Sequence, residues 1–167
     1  TPLHKLSALA EDDEIVAGLC LPVTDKGYLF FASEQAQSKR ISMEDMPGVS
    51  SQKFTIMNIA DDDRLICAML TDGRQQIMLY TAAGYTIRFD ENDVRAMGLR
   101  AGGVRGVKLQ DDDDRVVGAC LADDNLYTWS ITDDGIAKIS CSRYTSRRRS
   151  GSSIRPRTFS QGNFPES

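Results

Sequence analysis

Two stretches of this chain, DDDRLICAMLTDGRQQIMLYTAAG over residues 61–84 and DDDRVVGACLADDNLYTWSITDDG over residues 112–135, align without a gap at an offset of 51 residues. Self-similarity at such a period predicts an array of like units, each too small to bury its apolar face alone. Both copies run Asp-Asp-Asp-Arg, an apolar run, an acidic turn, a second apolar run and a Thr-x-x-Gly turn. A first copy starts at Asp12 with DDEIVAGLCL and reaches its own turn at Thr24 to Gly27, after an apparent deletion of about one hairpin turn. From those turns the copies continue as GYLFFASEQ, GYTIRFDEND and GIAKISCSRY, then as MPGVSSQKFTIMNI, RAGGVRGVKL and SGSSIRPRTF. One unit therefore reads as four short strands joined by acidic or glycine turns in about 50 residues, and helical periodicity is weak, residues 92–98 reading as a loop or single turn.

Four-stranded repeats of this length predict an all-β, propeller-like array, with approximate repeats at 12–60, 61–110 and 111–160 and ragged ends at 1–11 and 161–167. Three blades do not close a disc, so the expectation is a fragment of a longer array, or an open arc. Residues 15–19, 65–70 and 116–121 follow the acidic turn in each copy and are expected to be equivalent buried inner strands.

Charge is distributed unevenly. The formal net charge is -4, yet residues 137–167 hold seven Lys/Arg against Glu166 alone, leaving the tail at +6 and the rest at -10. The densest basic turn is MGLRAGGVRGVKL, residues 97–109, where Gly98, Gly102, Gly103 and Gly106 allow close backbone approach and Arg100, Arg105 and Lys108 surround it with cations. Such a segment suits a polyanion; the bland alternative is a turn whose arginines are merely solvated. No apolar run is long enough to span a bilayer, and residues 1–10 lack the basic start and apolar stretch of a signal peptide. Cys20, Cys67, Cys120 and Cys141 fall singly within or beside apolar strands, which predicts buried thiols in a reducing cytoplasm.

The pattern MG-x-R-A-x-GVRGVKL, placed after a GY-x-x-RF strand and before an aspartate-rich turn and a VVGA strand, resembles the C-terminal domain of bacterial DNA gyrase A, with the topoisomerase IV homologue next. The resemblance covers nearly the whole chain and implies a β-pinwheel, a disc of four-stranded blades that exchange a strand. It implies binding and bending of duplex DNA around a basic rim, which guides strand passage and gives it the handedness of negative supercoiling. It also implies partnership with the remainder of gyrase A and with gyrase B in a heterotetramer, in a bacterial, chromosome-associated cytoplasmic setting with no membrane. ATP and Mg would act in other parts of that ATP-dependent topoisomerase, with no cofactor and no catalytic group in this chain. The family's basic turn matches Arg100, Gly102, Gly103, Arg105 and Gly106; in the third repeat it matches Arg155, with Ser152, Ser153 and Pro156 replacing glycine positions, and in the first only Gly48 and Val49 remain. The family's seven-residue basic-glycine box is not intact: RAGGVRG and RRRSGSS are partial likenesses.

Wrapping requires cations along an arc rather than a reacting group, because phosphate neutralisation releases counterions. The expected contacts are Arg88, Arg95, Arg100, Gly102, Gly103, Arg105 and Lys108 in the second repeat, and Lys138, Arg143, Arg147, Arg148, Arg149, Arg155 and Arg157 in the third. Lys39 and Arg40 are weaker counterparts in the first. The contiguous aspartates at 61–63, 111–114 and 123–124 lack the alternating spacing of a calcium loop and read as solvated turns facing away from DNA. His4, the single histidine, reads as a surface residue without a triad or metal partner, and Trp129, Tyr28, Tyr80, Tyr85 and Tyr127 as core or blade-contact residues. The rival classes are a protein-binding propeller, whose blade faces dock peptides while the arginines merely solubilise and which salt-dependent retention on duplex DNA separates, and a small enzyme with a calcium-dependent blade site, which requires a cleft of perturbed acids that the sequence does not show.

Overall fold

A computed structural model of the chain describes residues 9–10, 13–22, 26–48, 52–109 and 111–141. Among them every regular element is a strand or a single 3-10 turn. The strands are β1 Tyr28–Ser33, β2 Gln37–Ser42, β3 Leu65–Thr71, β4 Gln76–Thr81, β5 Thr86–Asp90, β6 Val104–Arg105, β7 Val116–Ala122, β8 Tyr127–Ile131 and β9 Ala137–Cys141. They form three antiparallel sheets, in the orders β3-β1-β2-β6, β5-β4-β7 and β8-β9.

Sequence repeat and blade are out of phase. In the first two blades the central hairpin (β1-β2, β4-β5) takes its outer strand (β3, β7) from the apolar run of the following repeat. The join is the same in both: a register shift between Ala32 and Ser33 on β1, and between Tyr80 and Thr81 on β4. The third aspartate of each Asp-Asp-Asp-Arg fixes that join. Asp63 Oδ1 accepts from the Gln35 and Arg64 amides at 2.9 and 2.8 Å, and Asp114 Oδ1 accepts from the Ala83 and Arg115 amides at 2.9 and 3.0 Å. Each carboxylate thus caps the hairpin turn of the preceding unit, and Asp114 is buried rather than solvated.

The hairpin turns correct the alignment of the first repeat. Ser33, Thr81 and Thr132 each accept, on the side-chain hydroxyl, the amide four residues on, at 3.1, 3.3 and 3.1 Å. The fourth residue of each turn is left-handed: Ala36 at φ 65°, Gly84 at 83° and Gly135 at 86°. The counterpart of Thr81 to Gly84 is therefore Ser33 to Ala36, not Thr24 to Gly27, and the first unit has lost no hairpin turn. Ala36 conceals the match because it holds a backbone conformation ordinarily marked by glycine. Gly27, at φ 100°, instead corresponds to Gly73, at 88°, on the connection leading into the hairpin.

The core lies between and around the first two blades. Phe30 and Ala32 on one face of β1 join Ile77, Leu79, Ile87, Phe89, Val94, Val107 and Val116, with the Phe30 and Phe89 rings 6.1 Å apart. Leu29 and Phe31 on the other face join Ile41 and Met57, so β1 is buried on both sides and reads as a continuous apolar run. Residues 65–70 and 116–121 are strands as expected, but only half-buried for the most part, with Val116 fully buried and Val117 and Leu121 exposed. Residues 15–19 are corrected: they form no strand and are exposed. Their counterparts pair with a hairpin one unit earlier, and among the described residues none precedes residue 15. Tyr127 and Trp129 are likewise exposed on β8 instead of buried, as are Cys20 and Cys120, while Cys67 is half-buried.

Candidate nucleic-acid interface

The glycine-rich basic turn is seated on the neighbouring blade at several points between Met97 and Gly106. The Met97 amide donates to Arg40 O at 2.8 Å, next to a bridge between Arg40 and Ala96. Strand β6 then pairs with β2, Arg105 opposite Gln37 and Val104 opposite Ser38, and the Gly106 amide donates to Ala36 O at 2.7 Å. From the other side the Asn58 amide donates to Ala101 O at 3.3 Å. A turn from the second repeat is thereby the fourth strand of the first repeat's blade.

Two glycines make this approach possible. Gly103 adopts φ 93°, and a Cβ there would lie 2.7 Å from Ser38 O and 3.1 Å from Met57 Cε. At Gly106, which is buried, a Cβ would collide with the Ser38 hydroxyl. Gly102 has more freedom: it is exposed, and its Cβ would meet only Asn58 O, at 3.1 Å. Arg100 lies at φ 65°, the left-handed region, at the head of the turn.

This seating leaves Arg95, Arg100, Arg105 and Lys108 exposed along one backbone segment. Lys138 on β9 is also exposed. Arg143, Arg147, Arg148, Arg149, Arg155 and Arg157 lie outside the described residues, as does His4.

Three cations expected at the surface are interior. Arg88 is buried on β5, with Nε donating to Gln76 Oε1 at 2.5 Å and Nη1 paired with Asp124 Oδ1 at 2.6 Å. Its counterpart Arg40 on β2 is also buried, paired with Glu91 at 3.3 Å, hydrogen-bonded to Asn92 Oδ1 at 2.8 Å and lying 4.3 Å over the Tyr28 ring. Glu91, fully buried, also accepts from the Gln75 amide at 2.7 Å and the Thr71 hydroxyl at 2.5 Å. These arginines bind one unit to the next, and a guanidinium so engaged offers nothing to a phosphate.

Lys39 has no exposed surface, and its ammonium donates to Ile56 O at 2.7 Å and Ala101 O at 2.9 Å. Burial lowers its pKa from the usual lysine range. The signal for this was strand alternation: Lys39 faces the same way as Ile41, which packs with Leu29 and Phe31. At the junction of the second and third sheets, the Tyr80 hydroxyl donates to Thr128 Oγ1 at 3.3 Å and lies 3.7 Å from Cys120 Sγ; burial pushes its pKa up to about 12. Burial likewise pushes the Cys67 thiol up to about 11. Among the described residues no group of three His, Cys, Asp or Glu side chains is placed to hold a metal, and no helix is long and apolar enough to cross a membrane.

The sequence profile of the DNA gyrase C-terminal domain, described as a β-propeller, matches residues 75–119, a span that includes the seated turn. DNA gyrase A of Staphylococcus epidermidis is 32% identical over 160 residues, covering 92% of this chain and 18% of that protein. DNA gyrase A of Haloquadratum walsbyi is 32% identical over 133 residues, covering 78% and 15%. The chain thus spans less than a fifth of the length of these curated relatives. Among solved structures, the C-terminal domain of a DNA topoisomerase IV superposes with a TM-score of 0.79 at 25% identity, covering 89% of this chain and 47% of that one. A DNA gyrase A C-terminal domain superposes at 0.78 and 20% identity, covering 89% and 50%, a likeness of fold. The out-of-phase blades, the seated glycine turn and the extent of these similarities lead to one assignment: the chain belongs to the DNA gyrase C-terminal domain family.

Proposed function

We propose that this chain binds duplex DNA without sequence preference and bends it along the exposed cations of residues 95–108, as part of a gyrase A polypeptide. The observation that carries this reading is the exposure of Arg95, Arg100, Arg105 and Lys108 on a segment whose backbone is hydrogen-bonded to β2 near both ends. A pinned backbone fixes where these side chains start, so the backbone share of the ordering cost of binding is already met by the fold. Arg143, Arg147, Arg148, Arg149, Arg155 and Arg157 would extend the same polycation. In the parent enzyme the bent segment would be handed to the cleavage machinery, biasing strand passage toward negative supercoiling. The catalytic tyrosine, ATP, Mg and gyrase B would act outside this chain.

The test is retention of unrelated duplexes of equal length across a salt series. Affinity should fall linearly on a log-log plot and be alike for all sequences. The Arg100→Ala/Arg105→Ala/Lys108→Ala variant should lower the slope by about 2.7, at about 0.9 per lost phosphate contact. An unchanged slope, or salt-insensitive binding of one sequence, would refute the reading and favour a propeller that docks proteins. The similarity to a topoisomerase IV domain supports a second assignment of the parent enzyme. Loss of supercoiling with retained cleavage in the triple variant of the full enzyme favours gyrase.

A further inference from the structure

The turn that carries the proposed DNA contacts is held at its two ends by backbone pairing, and at its apex a buried side chain joins a backbone bond. Ala101 lies between Arg100 and Gly102, and its carbonyl accepts from Lys39 Nζ at 2.9 Å as well as from the Asn58 amide. The same ammonium donates to Ile56 O at 2.7 Å, so one cation joins three segments: β2, the stretch around Ile56 to Asn58, and the basic turn. Burying an ammonium is costly, and a methionine would fill the volume of its stem without that cost. A lysine is useful at this position because two carbonyls from different segments converge on it and no apolar side chain could join them.

We infer that Lys39 is the positioning residue of the DNA-contact turn, a staple from the first repeat that fixes the apex of the second repeat's turn and so sets where Arg100 stands. The inference rests on the DNA-binding reading for its consequence, though not for its geometry. Lys39 has no exposed surface, so its replacement removes no cation that a phosphate could reach.

The experiment uses the full chain with Lys39→Met and Lys39→Gln, reading two quantities: amide hydrogen exchange without DNA and the salt slope of duplex binding. Exchange at Asn58, whose acceptor is Ala101 O, should speed up at least tenfold in either variant, while amides of the β4-β7 pairing stay as protected as in the parent chain. The salt slope should fall by about 0.9, the contact of Arg100 beside the released Ala101 carbonyl, and Lys39→Met added to Arg100→Ala should cause no further fall. Additive slopes, or faster Asn58 exchange with an intact slope, overturn the positioning role. Unchanged exchange at Asn58 overturns the staple itself. Loss of β4-β7 protection in both variants also overturns the inference, because Lys39 is then a requirement of the fold and not of the turn. Absence of salt-dependent binding in the parent chain is a failure of the DNA reading alone, and the Asn58 exchange still decides the staple.

Discussion

Replacing Gly103 by alanine should be among the most damaging single-methyl changes in this chain, and the size of the effect follows from two independent features. The residue sits at φ 93°, where an L side chain costs about 1–2 kcal/mol or more. The added Cβ also falls 2.7 Å from Ser38 O, a backbone atom of a paired strand, and 3.1 Å from Met57 Cε. Methionine can move aside; the carbonyl of β2 cannot move without disturbing β6, and such overpacking costs about 1–3 kcal/mol. Together Gly103→Ala should lose about 2–5 kcal/mol of whatever cooperative unit contains the first blade. Gly102→Ala is the internal control, because it is exposed, its φ lies outside the left-handed range, and its Cβ meets a single atom at 3.1 Å. It should lose no more than about 1 kcal/mol, an ordinary surface change of about 0.5 plus slight crowding against Asn58 O. Urea unfolding followed by circular dichroism separates the two, since at about 2 kcal/mol/M the Gly103 variant shifts its midpoint by at least about 1 M. Equal midpoints for both variants would refute the claim that the turn is pressed against β2.

Other outcomes follow from the same contacts. Arg88→Met should leave the salt slope of DNA binding unchanged and lower stability by about 1–3 kcal/mol, because it removes a buried partner of Asp124 and Gln76 rather than a phosphate contact; a reduced slope would count against this. Asp114→Ala should cost about 1.5–3 kcal/mol through two lost charge-assisted bonds to the Ala83 and Arg115 amides, whereas exposed Asp113→Ala should stay within about 0.5, both by urea unfolding. At pH 8 a chromogenic disulfide reagent should label Cys20 and Cys120 quickly and Cys67 slowly, so that Cys67→Ser leaves the fast phase unchanged. Because the folded pKa of Cys67 is raised from 9.0 to about 11, its neutral thiol contributes stability below pH 9 that is lost as pH rises through about 11. The difference between parent and Cys67→Ser midpoints should shrink over that window.

The parts of the fold that were legible in the sequence are those where a side chain announces its own backbone. Thr81 to Gly84 and Thr132 to Gly135 carry both the hydroxyl and the glycine of their turn, and the repeat aligns there directly. Ser33 to Ala36 makes the same turn with the same hydroxyl bond but without the glycine, so sequence alignment shifts the first unit by one hairpin onto Gly27, whose positive φ serves a different connection. Burial of cations was less legible still. Arg88, Arg40 and Lys39 differ from Arg95, Arg100 and Arg105 only in what lies above them. That cover comes from Asp124, Glu91 and the Ala101 carbonyl, at sequence separations of 36, 51 and 62. Local charge patterning does not report such distant partners. Strand alternation could have placed Lys39 beside Ile41, and then only the choice between a surface and a covered face remained.

Once blades and repeats are seen to be out of phase, the basic turn and the acidic signature become two halves of one device. In the second and third repeats the aspartate of Asp-Asp-Asp-Arg reaches back to cap the hairpin turn of the unit before it, and in the second repeat the glycine turn reaches back to complete that earlier blade as β6. Both connections run in the same direction along the chain and cross the same boundary between units. A cation on the turn is therefore positioned by strands of the preceding repeat, through Ser38, Lys39 and Arg40 on β2, and only weakly by its own. Spacing between successive DNA contacts would then be set by strand pairing between units, which is stiff, and not by loop length, which is not. Lengthening the chain between residues 46 and 56 should on this argument leave the salt slope intact, because the register of β6 is set by its pairing with Gln37 and Ser38. Deleting the register contact itself, as Gly106→Val does by driving a side chain into Ser38, should lower the slope even though no charge is removed. The opposite ranking, with the inserted link more damaging to binding than Gly106→Val, would mean that the turn is positioned by its own repeat.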